Sequence, residues 1–242
     1  SYISRRGSRF LVMRLAALFS GGKDSTFAIY RARQQGHAIE CLITMHPAAD
    51  DSALFHYPNS RITKHLAEAM GVPLLESAVV AGTDRDAEIE ALDAAVAQAK
   101  SLYRIEGVVN GGIASIFQKQ VFEEVCKRHG LVPVSPLWGV EPERYMADLL
   151  ASGFVVMIVG VSAMGLEKEW LGRVIDRESL AKLVWLSRKY GFNLTFEGGE
   201  AETLVLDCPL YPKKRLAVRQ ATARWDGQRG MFEILEAELL DK

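Results

Sequence analysis

The sequence predicts an α/β protein: a doubly wound parallel sheet with a second, smaller α+β domain behind it. In the first half, short segments that are wholly apolar alternate with helical segments. Strands that are apolar on both faces are typical of a parallel sheet covered by helices on both sides. After about Pro136 this alternation gives way to two helices and several long strand-like segments. We therefore expect a first domain over 13–135 and a C-terminal α+β domain over 136–242.

The elements of the first half follow from its apolar runs and from the residues that end them. Strands are predicted at 15–19, 39–45, 72–75 and 107–110. Helices are predicted at 24–35, 61–70, 84–103 and 117–129. Gly36, Gly71 and Gly130 follow three of these helices, where glycine readily adopts the left-handed conformation that ends a helix. Right-handed crossovers then make the four strands parallel.

The second half has fewer helices and longer strands. Helices are predicted at 143–152 and 177–190, and a buried strand at 154–161. Strand-like sequence begins at 204 and includes 216–225 and 231–239, with a turn at Asp226-Gly227 between them. Three large aromatic side chains are expected in the core or at the domain interface: Trp138, Trp170 and Trp185.

Composition excludes several classes of protein. The chain has 242 residues, which suits one to two domains, and 49% of them are hydrophobic, which argues against disorder. Its 29 basic and 30 acidic residues give a formal net charge of −1. Without a basic excess, we expect no stable binding of nucleic acid. The longest apolar run, 154–161, is well short of the roughly 20 residues that span a bilayer, so no membrane association is expected.

The cysteines indicate a reducing compartment. Cys41, Cys126 and Cys208 are far apart, odd in number and outside any CxxC pair. Free thiols in a reducing, cytoplasmic environment are therefore expected, rather than disulfides or a cysteine-rich zinc site. Residues 1–12 precede Met13 and are expected to be a vector-derived tag or a disordered leader.

A glycine-rich turn lies between the first predicted strand and the first predicted helix. It reads Ser20-Gly21-Gly22-Lys23-Asp24-Ser25. Such a turn aims backbone N–H groups at one point, and the helix dipole adds positive potential, so the turn predicts an anion site. The hydroxyls of Ser20 and Ser25 can donate to phosphate oxygens, and Lys23 adds a mobile cation. Asp24 is unusual beside phosphate unless Mg²⁺ bridges it to a nucleotide.

The alternative interpretation of this turn is a helix cap in which Asp24 favours the dipole. The Walker pattern GxxxxGK[ST] and the dinucleotide pattern GxGxxG are both absent from the sequence.

Two further segments stand out. Gly111-Gly112-Ile113-Ala114-Ser115 follows the strand predicted at 107–110. Ligand sites of doubly wound sheets gather at the carboxyl ends of strands, so this second glycine turn is expected to face the first. Its alternative is a plain strand–helix connection with Ser115 as the N-cap.

The second of these segments is acidic and reads Glu197-Gly198-Gly199-Glu200-Ala201-Glu202-Thr203. Three carboxylates this close repel one another unless they are solvated or paired with cations. The segment is therefore interpreted as a site for Mg²⁺ or an amine, as a rigid turn that helps to place a nucleophile, or as a solvated loop. His56, in the loop after the second strand, could titrate near neutral pH or could be merely solvated.

Six segments, in this order, resemble the diphthine–ammonia ligase (diphthamide synthase) family. They are SGGKDS at 20–25, DSALFH at 51–56, GGIASIFQKQVFEEVC at 111–126, PLWG at 136–139, GLEKEWLGRVID at 165–176 and EGGEAETLVLDCPLY at 197–211. SGGKDS alone is typical of the wider PP-loop, or N-type ATP pyrophosphatase, superfamily, whose fold is of the HUP (adenine nucleotide alpha hydrolase-like) type. The resemblance runs from about Met13 to the C-terminus and is greatest to short archaeal-type forms.

The resemblance implies an ATP-dependent, AMP-forming amide ligase. ATP would adenylate the carboxylate of diphthine, a modified histidine on translation elongation factor 2, and ammonium would then supply the nitrogen of diphthamide. ATP would bind in the domain at 13–135, and the domain at 136–242 would bind the substrate. The sequence leaves a homo-oligomer open.

The resemblance also implies roles for individual residues. The pyrophosphate would be held by Ser20, Gly21, Gly22 and Ser25. Lys23 would neutralise developing charge, Asp24 would bind Mg²⁺, and both are expected to be catalytic together with Glu200. The rest of the nucleotide pocket would be formed by Thr44, Met45, Gly111, Gly112 and Ser115. The acceptor side would be formed by His56, Glu197, Gly198, Gly199, Glu200, Glu202 and Thr203.

Other functions stay open at this point. The family often has a small residue followed by Gln after PLW, whereas this chain has Gly139-Val140, so the acceptor could be another carboxylate. A PP-loop tRNA-modifying enzyme is disfavoured by the balanced charge and the isolated cysteines. A nucleotide sensor without activity is disfavoured by the intact Lys23 and Asp24.

Overall fold

A parallel sheet and an antiparallel sheet form the framework of the protein. The computed structural model describes residues 11–46, 58–78 and 85–242. The parallel sheet consists of β1 (Arg14–Leu18), β2 (Ala38–His46), β3 (Leu74–Ala78), β4 (Gly107–Val109) and β5 (Val132–Val134). Its helices are α1 (Lys23–Gln34), α2 (Pro58–Met70), α3 (Arg85–Tyr103) and α4 (Ile116–Arg128). The strand order is β3-β2-β1-β4-β5 and every pairing is parallel.

The antiparallel sheet is built from the C-terminal part of the chain. Its strands are β6 (Val155–Val161), β7 (Ala201–Asp207), β8 (Lys214–Trp225) and β9 (Gly230–Asp241), in the order β7-β6-β9-β8. The helices here are α5 (Pro142–Ala151), α6 (Arg177–Tyr190) and a 3₁₀ turn at Lys168–Trp170. The predicted fold class, a doubly wound parallel sheet with a smaller α+β unit, is confirmed.

The strand order creates a crevice beside β1. The chain runs outward from β1 to β2 and β3, then returns to place β4 on the other side of β1. At such a switch point the connections leave adjacent strands in opposite directions, and ligands bind at the carboxyl ends of those strands. Here the two ends carry the turn at 19–22 and the turn at 110–115.

Two apolar layers cover the parallel sheet. Alternate residues of β1 face opposite sides: Leu15 joins the core that includes α1 and α2, and Ala16 joins the core under α3 and α4. The first of these cores continues into the antiparallel sheet, because α1 packs against β7 and α2 packs against β8 and β9. The two units therefore share one hydrophobic core, and the predicted division at 135/136 stays a prediction.

Several elements differ from the sequence prediction. The three-residue strand β5 was not predicted, because Val132–Val134 contains a proline and is too short to show a pattern. β3 lies two residues later than expected. β7 begins at Ala201, so Glu202 and Thr203 lie on a strand and not in an acidic loop.

The prediction that Trp185 lies in the core or at the domain interface is wrong, because this residue is 56% exposed. Its indole lies 4.8 Å below the Lys189 ammonium, so it is a surface residue of α6. Trp170 is fully buried, as predicted. In the part of the chain that the structure describes, no helix is long and apolar enough to cross a membrane.

Gly107 provides a test of the packing between β4 and its neighbours. A Cβ at this position would lie 2.6 Å from the Val132 carbonyl oxygen and 2.9 Å from the Leu15 Cδ2 atom. We expect Gly107→Ala to lower the free energy of unfolding by about 2 kcal/mol or more, because backbone atoms have to move. The measurement is urea denaturation.

Gly130→Ala is the matched control. Gly130 has a φ of +63° and nothing within 4 Å of an added Cβ. It is expected to lose only about 1 kcal/mol, from backbone conformation alone. Equal losses for the two variants would contradict the close packing inferred at Gly107.

Candidate active site

The turn after β1 presents hydroxyl and backbone groups at the start of α1. Gly21 has a φ of +83°, a conformation that glycine adopts without strain. The hydroxyl oxygens of Ser20 and Ser25 lie 3.2 Å apart, and Ser25 Oγ accepts a 3.2 Å hydrogen bond from the Ser20 N–H. Gly22 is the N-cap of α1, and because it has no side chain, the backbone N–H groups at the helix N-terminus are not capped by it. These features fit an anion site at the helix N-terminus.

The second glycine turn lies directly against the first. A Cβ on Gly111 would lie 2.7 Å from the Asp24 carbonyl carbon and from the Ser25 nitrogen, so only glycine allows this approach. Ser115 is the N-cap of α4 and accepts a 3.3 Å hydrogen bond from the Gln118 N–H. The two turns therefore face each other across the crevice, as the strand order predicts.

A cavity of about 580 Å³ opens between the two turns. Its polar edge includes Ser20, Ser25, Gly111, Gly112 and Ser115. Its other walls are mainly apolar and include Ile43, Met45, Leu92, Phe122 and Trp138. An apolar pocket with a few convergent polar groups at one side suits a nucleoside attached to phosphates.

Thr44 does not point into this cavity. Its side chain is buried, and its hydroxyl donates a 2.7 Å hydrogen bond to the Phe19 carbonyl oxygen. Any contact of Thr44 with a ligand would therefore use the main chain. Met45, one residue later on β2, does line the cavity.

Lys23 is not the mobile cation that the turn motif predicts. The residue is 1% exposed, and its ammonium donates to Asp24 Oδ1 at 2.6 Å and to the Thr195 carbonyl oxygen. The ammonium also lies 5.4 Å from the centre of the Tyr145 ring and 5.5 Å from that of Phe196. A buried ammonium has to be paired, so its partners immobilise it.

Asp24 is held from two sides. Besides the Lys23 ammonium, the Tyr145 hydroxyl donates a 2.5 Å hydrogen bond to Asp24 Oδ1. Burial, followed by the nearby charge of Asp24, raises the pKa of Tyr145 well above its ordinary value, which keeps the hydroxyl protonated as a donor. The Asp24 side chain is still 30% exposed and lines a cavity beside the turn. It is therefore oriented and remains accessible.

The three carboxylates of the acidic segment serve different partners. Glu197 Oε1 accepts hydrogen bonds from the Ile113 N–H at 2.8 Å and the Ser115 N–H at 3.3 Å, so it fastens the second glycine turn. Glu200 Oε1 accepts a 3.1 Å hydrogen bond from the Asn193 N–H. Glu202 points into a cavity on the other side of the first turn. The mutual repulsion of the three is reduced because they point apart.

Gly198 and Gly199 form the exposed tip of this segment. Gly199 has a φ of +82°, and its carbonyl oxygen accepts a 2.6 Å hydrogen bond from the Ser162 hydroxyl. At Gly198, a Cβ would lie 2.8 Å from Glu200 Oε1. The glycines thus allow the tight bend that brings Glu197 and Glu200 to different neighbours.

A hydrogen-bonded path connects the acidic segment to the first turn. Glu200 orders Asn193, whose Oδ1 accepts from the Thr195 N–H at 2.9 Å, and the Thr195 carbonyl oxygen accepts from the Lys23 ammonium. β7 adds a second connection, since Thr203 Oγ1 accepts a 3.0 Å hydrogen bond from the Lys23 N–H. Residues that are far apart in sequence therefore determine the shape of the turn together.

The cavity beyond the first turn has a volume of about 200 Å³ and lies against the antiparallel sheet. Its lining includes Ser20, Gly22, Asp24, Glu202, Thr203, Met231, Phe232 and Glu233. Burial raises the pKa of Glu202 to about 7. The site thus has two compartments, one on each side of the turn at 20–25.

The predicted roles of His56 and of a bound Mg²⁺ depend on what the structure describes around them. His56 lies outside the residues that the structure describes. Among the described residues, no group of three or more His, Cys, Asp or Glu side chains could hold a metal alone. Mg²⁺ is commonly bound by one or two carboxylates together with substrate phosphates, and Asp24 is an accessible carboxylate of this kind.

The sequence analysis missed Tyr145, Asn193 and Thr195. Tyr145 lies on α5, and no local motif distinguishes it from other buried aromatic residues. Asn193 and Thr195 precede the acidic segment and act through backbone and side-chain groups that only the folded chain brings to Lys23.

Comparison with known proteins gives matches along most of the chain. The family model of the diphthamide synthase N-terminal domain matches residues 13–133, and that of the diphthamide synthase C-terminal domain matches residues 141–240. The diphthine–ammonia ligase of Homo sapiens is 35% identical over 220 residues, which cover 84% of this chain and 82% of the human protein. The Rattus norvegicus protein of the same name is 36% identical over 219 residues, with the same coverage.

More distant similarities are also present. The diphthine–ammonia ligase of Schizosaccharomyces pombe is 32% identical over 217 residues, which cover 84% of this chain and 36% of that protein. Among solved structures, a predicted subunit of tRNA methyltransferase from Methanocaldococcus jannaschii is 16% identical, with a TM-score of 0.39 and coverage of 79% of this chain and 96% of that one.

The two family models match consecutive segments of the chain. In the folded protein, residues of the two segments contact each other at the glycine turns, through Thr203 and Glu197. The alignments with the human and rat proteins cover most of this chain and most of each relative. The chain belongs to the diphthamide synthase family.

Proposed function

We propose that the protein is an ATP-dependent diphthine–ammonia ligase, which amidates the diphthine of translation elongation factor 2 with ammonium and releases AMP and pyrophosphate. The observation that carries the proposal is the contact between the acidic segment and both glycine turns, through Glu197 and Thr203. The contact supports the proposal because the acidic segment, which distinguishes the family, lies against the turn proposed to bind the phosphates. The names of the relatives support the same activity.

The larger cavity suits the nucleoside of ATP. Met45 and Phe122 would contact the base and the sugar from the apolar side, and the phosphates would extend toward the first turn. There, the N-terminus of α1 and the hydroxyls of Ser20 and Ser25 would hold the pyrophosphate portion. Gly111 and Gly112 would allow close approach of the backbone to the nucleotide.

Asp24 is the residue that would hold Mg²⁺ together with the phosphates. When bound, the metal would neutralise negative charge on the phosphate oxygens. Tyr145 and Lys23 orient the Asp24 carboxylate through Oδ1. We assign to Lys23 this positioning role beside its expected electrostatic one, because its ammonium is buried.

The proposed reaction has two steps, adenylation of the acceptor carboxylate and attack by ammonia. The acceptor carboxylate attacks the α-phosphorus of ATP, pyrophosphate leaves, and an acyl-adenylate forms. Ammonia then attacks the acyl carbon, AMP leaves, and one proton is lost as the amide forms. The protein contributes mainly by positioning the reactants and by stabilising charge on the phosphates.

Free ammonium is the proposed nitrogen source. Releasing ammonia from glutamine with a cysteine requires a reactive thiolate. Burial raises the pKa of Cys41, Cys126 and Cys208 to about 12, and the chain has no other cysteine. These thiols are therefore unsuited to nucleophilic attack.

The activity is tested with diphthine-bearing elongation factor 2, ATP, Mg²⁺ and ammonium. Mass spectrometry of the peptide that carries the modified histidine should show a loss of about one mass unit, from OH to NH₂. Chromatography of the nucleotides should show AMP in equal amount. ADP as the product, or AMP release without any change in the peptide, would refute the proposal.

Asp24→Asn tests the role of the carboxylate in ATP cleavage. Asparagine keeps an oxygen that can accept from Tyr145 and Lys23 but removes the counter-charge of the buried ammonium, so the variant should be less stable than wild type. Its melting temperature is measured first, to establish that it is folded under the assay conditions. We expect AMP formation to fall by about 100-fold or more, as for the loss of other electrostatic groups at a reacting centre. The measurement is the initial rate of AMP release at saturating Mg²⁺ and ATP.

Asp148→Asn is the matched control for this variant. Asp148 is a half-exposed carboxylate that pairs with Arg31, away from the turn. It should retain the wild-type rate. A normal rate in Asp24→Asn would remove the metal assignment.

Glu200→Gln separates the acceptor half of the reaction from the nucleotide half. The glutamine oxygen can still accept from the Asn193 N–H, so the path to Lys23 is kept while the charge is lost. We expect ATP to bind with unchanged affinity and amide formation to fall by about tenfold or more. Equilibrium binding of an ATP analogue and the peptide mass assay measure the two effects.

Glu167→Gln, an exposed glutamate outside both cavities, serves as the control for this second variant. If Glu200→Gln yields the normal amount of amide, Glu200 acts only as a structural residue of the turn.

A further inference from the structure

Among the residues that the structure describes, Glu202 differs from the other carboxylates of the smaller cavity in having no hydrogen-bond or ion-pair partner. Asp24 is bonded to Lys23 and Tyr145, and Glu233 pairs with Arg224 at 2.6 Å. Within the described part of the chain, the Glu202 side chain makes no hydrogen bond or ion pair. The raised pKa of about 7 has the same cause, since burial removes water and supplies no compensating charge. The cavity therefore has one uncompensated acidic group.

The backbone makes room for this carboxyl. Glu202 on β7 lies opposite Gly160 on β6, where a Cβ would come within 3.3 Å of the Glu202 Cβ. The next residue, Thr203, bonds to the N–H of Lys23. The Glu202 side chain is therefore fixed one residue away from the turn that would bind the phosphates.

The other side chains that line the cavity are mostly apolar: Val159, Met231, Phe232 and Ile234 of the antiparallel sheet and Ile62 of α2. The charged exception on the sheet is Glu233, which is paired with Arg224. The Phe232 ring is packed on the backbone of Gly172, where a Cβ would lie 2.7 Å from a ring carbon. A primary ammonium or a hydrated metal ion needs several hydrogen-bond acceptors around it. A quaternary ammonium has no N–H group and is bound by a counter-charge together with aromatic and apolar surfaces.

We propose that the smaller cavity binds the quaternary ammonium group of the acceptor, with Glu202 as its counter-charge and Phe232 and Met231 as its apolar walls. The proposal rests on the proposed function, because diphthine carries a trimethylammonio group on the carbon next to its carboxyl group. That carboxyl has to reach the α-phosphorus beside the turn, so the attached cation has to be bound nearby. The cavity satisfies this requirement, since Ser20, Gly22 and Ser25 also line it.

The first experiment compares Glu202→Gln with wild type in the amidation reaction. Glutamine has almost the same shape and removes a desolvated charge, so the variant should fold, which its melting temperature checks. We expect the KM for diphthine-bearing elongation factor 2 to rise by about tenfold or more, with the KM for ATP and the KM for ammonium unchanged. Glu236→Gln, an exposed glutamate on β9 outside this cavity, is the matched control and should behave as wild type.

Other kinetic outcomes overturn the proposal in distinguishable ways. A rise in the KM for ammonium alone would assign Glu202 to the nucleophile. A lower kcat with an unchanged KM for the acceptor would assign it to proton transfer. Unchanged kinetics would leave Glu202 without a role in the site.

The second experiment does not depend on the activity. Tetramethylammonium chloride is titrated into the protein, and binding is followed by broadening of its proton NMR signal, with sodium chloride added to keep the ionic strength constant. Wild type and Glu236→Gln should broaden the signal, and Glu202→Gln should not. Equal broadening by all three proteins would refute the quaternary-ammonium site even if the amidation activity is found. Selective broadening without any amidation of diphthine would instead separate this site from the proposed function.

Discussion

The pairing of one buried cation holds the candidate site together. The Lys23 ammonium has almost no contact with solvent and would be very costly to bury alone. It is bonded to Asp24 of the first turn and to the Thr195 carbonyl of the C-terminal part, so the same charge joins both units of the protein. This pairing, together with the Tyr145 hydroxyl on Asp24 and Asn193 on Thr195, orients Asp24 and positions the segment before Glu197.

This constraint explains why the acidic segment is tolerated. Its three carboxylates are not a cluster in space, because Glu197 turns to the amides of the second glycine turn and Glu200 to the Asn193 amide. Each of these two carboxylates accepts hydrogen bonds from backbone N–H groups through its Oε1 atom. Glu202 is the one carboxylate of the segment that accepts no such hydrogen bond within the described chain, and burial raises its pKa to about 7.

In the proposed reaction, this arrangement would separate the nucleotide from the acceptor. One cavity lies between the glycine turns and is walled by β2, α3 and α4, and the other lies between the first turn and the antiparallel sheet. Ser20 and Ser25 line both. A nucleotide and an acceptor that enter from opposite sides would therefore meet at the phosphates, where attack on the α-phosphorus takes place.

Much of the parallel unit could be predicted from the sequence, because its strands and helices are local patterns. Apolar runs, helix-ending glycines and the turn at 20–25 all carry their signal within a few residues. β5 and the start of β7 were not predicted because they have no such local pattern. Val132–Val134 and Ala201–Thr203 are strands because a neighbouring strand pairs with them. Pairing energy from distant residues leaves no trace in such short segments.

What the sequence determined by itself is the fold class, the position of the glycine-rich turn between β1 and α1, and the family to which the six motifs point. Only the tertiary structure decided which groups these motifs meet. It paired the Lys23 ammonium with Asp24 and the Thr195 carbonyl, and it brought the Tyr145 hydroxyl to Asp24. It also directed Glu197 to the second glycine turn and Glu202 to the smaller cavity. The physical reason is that a buried charge takes its partners from whatever the fold places within hydrogen-bond distance, and this distance is not encoded in the spacing of residues along the chain.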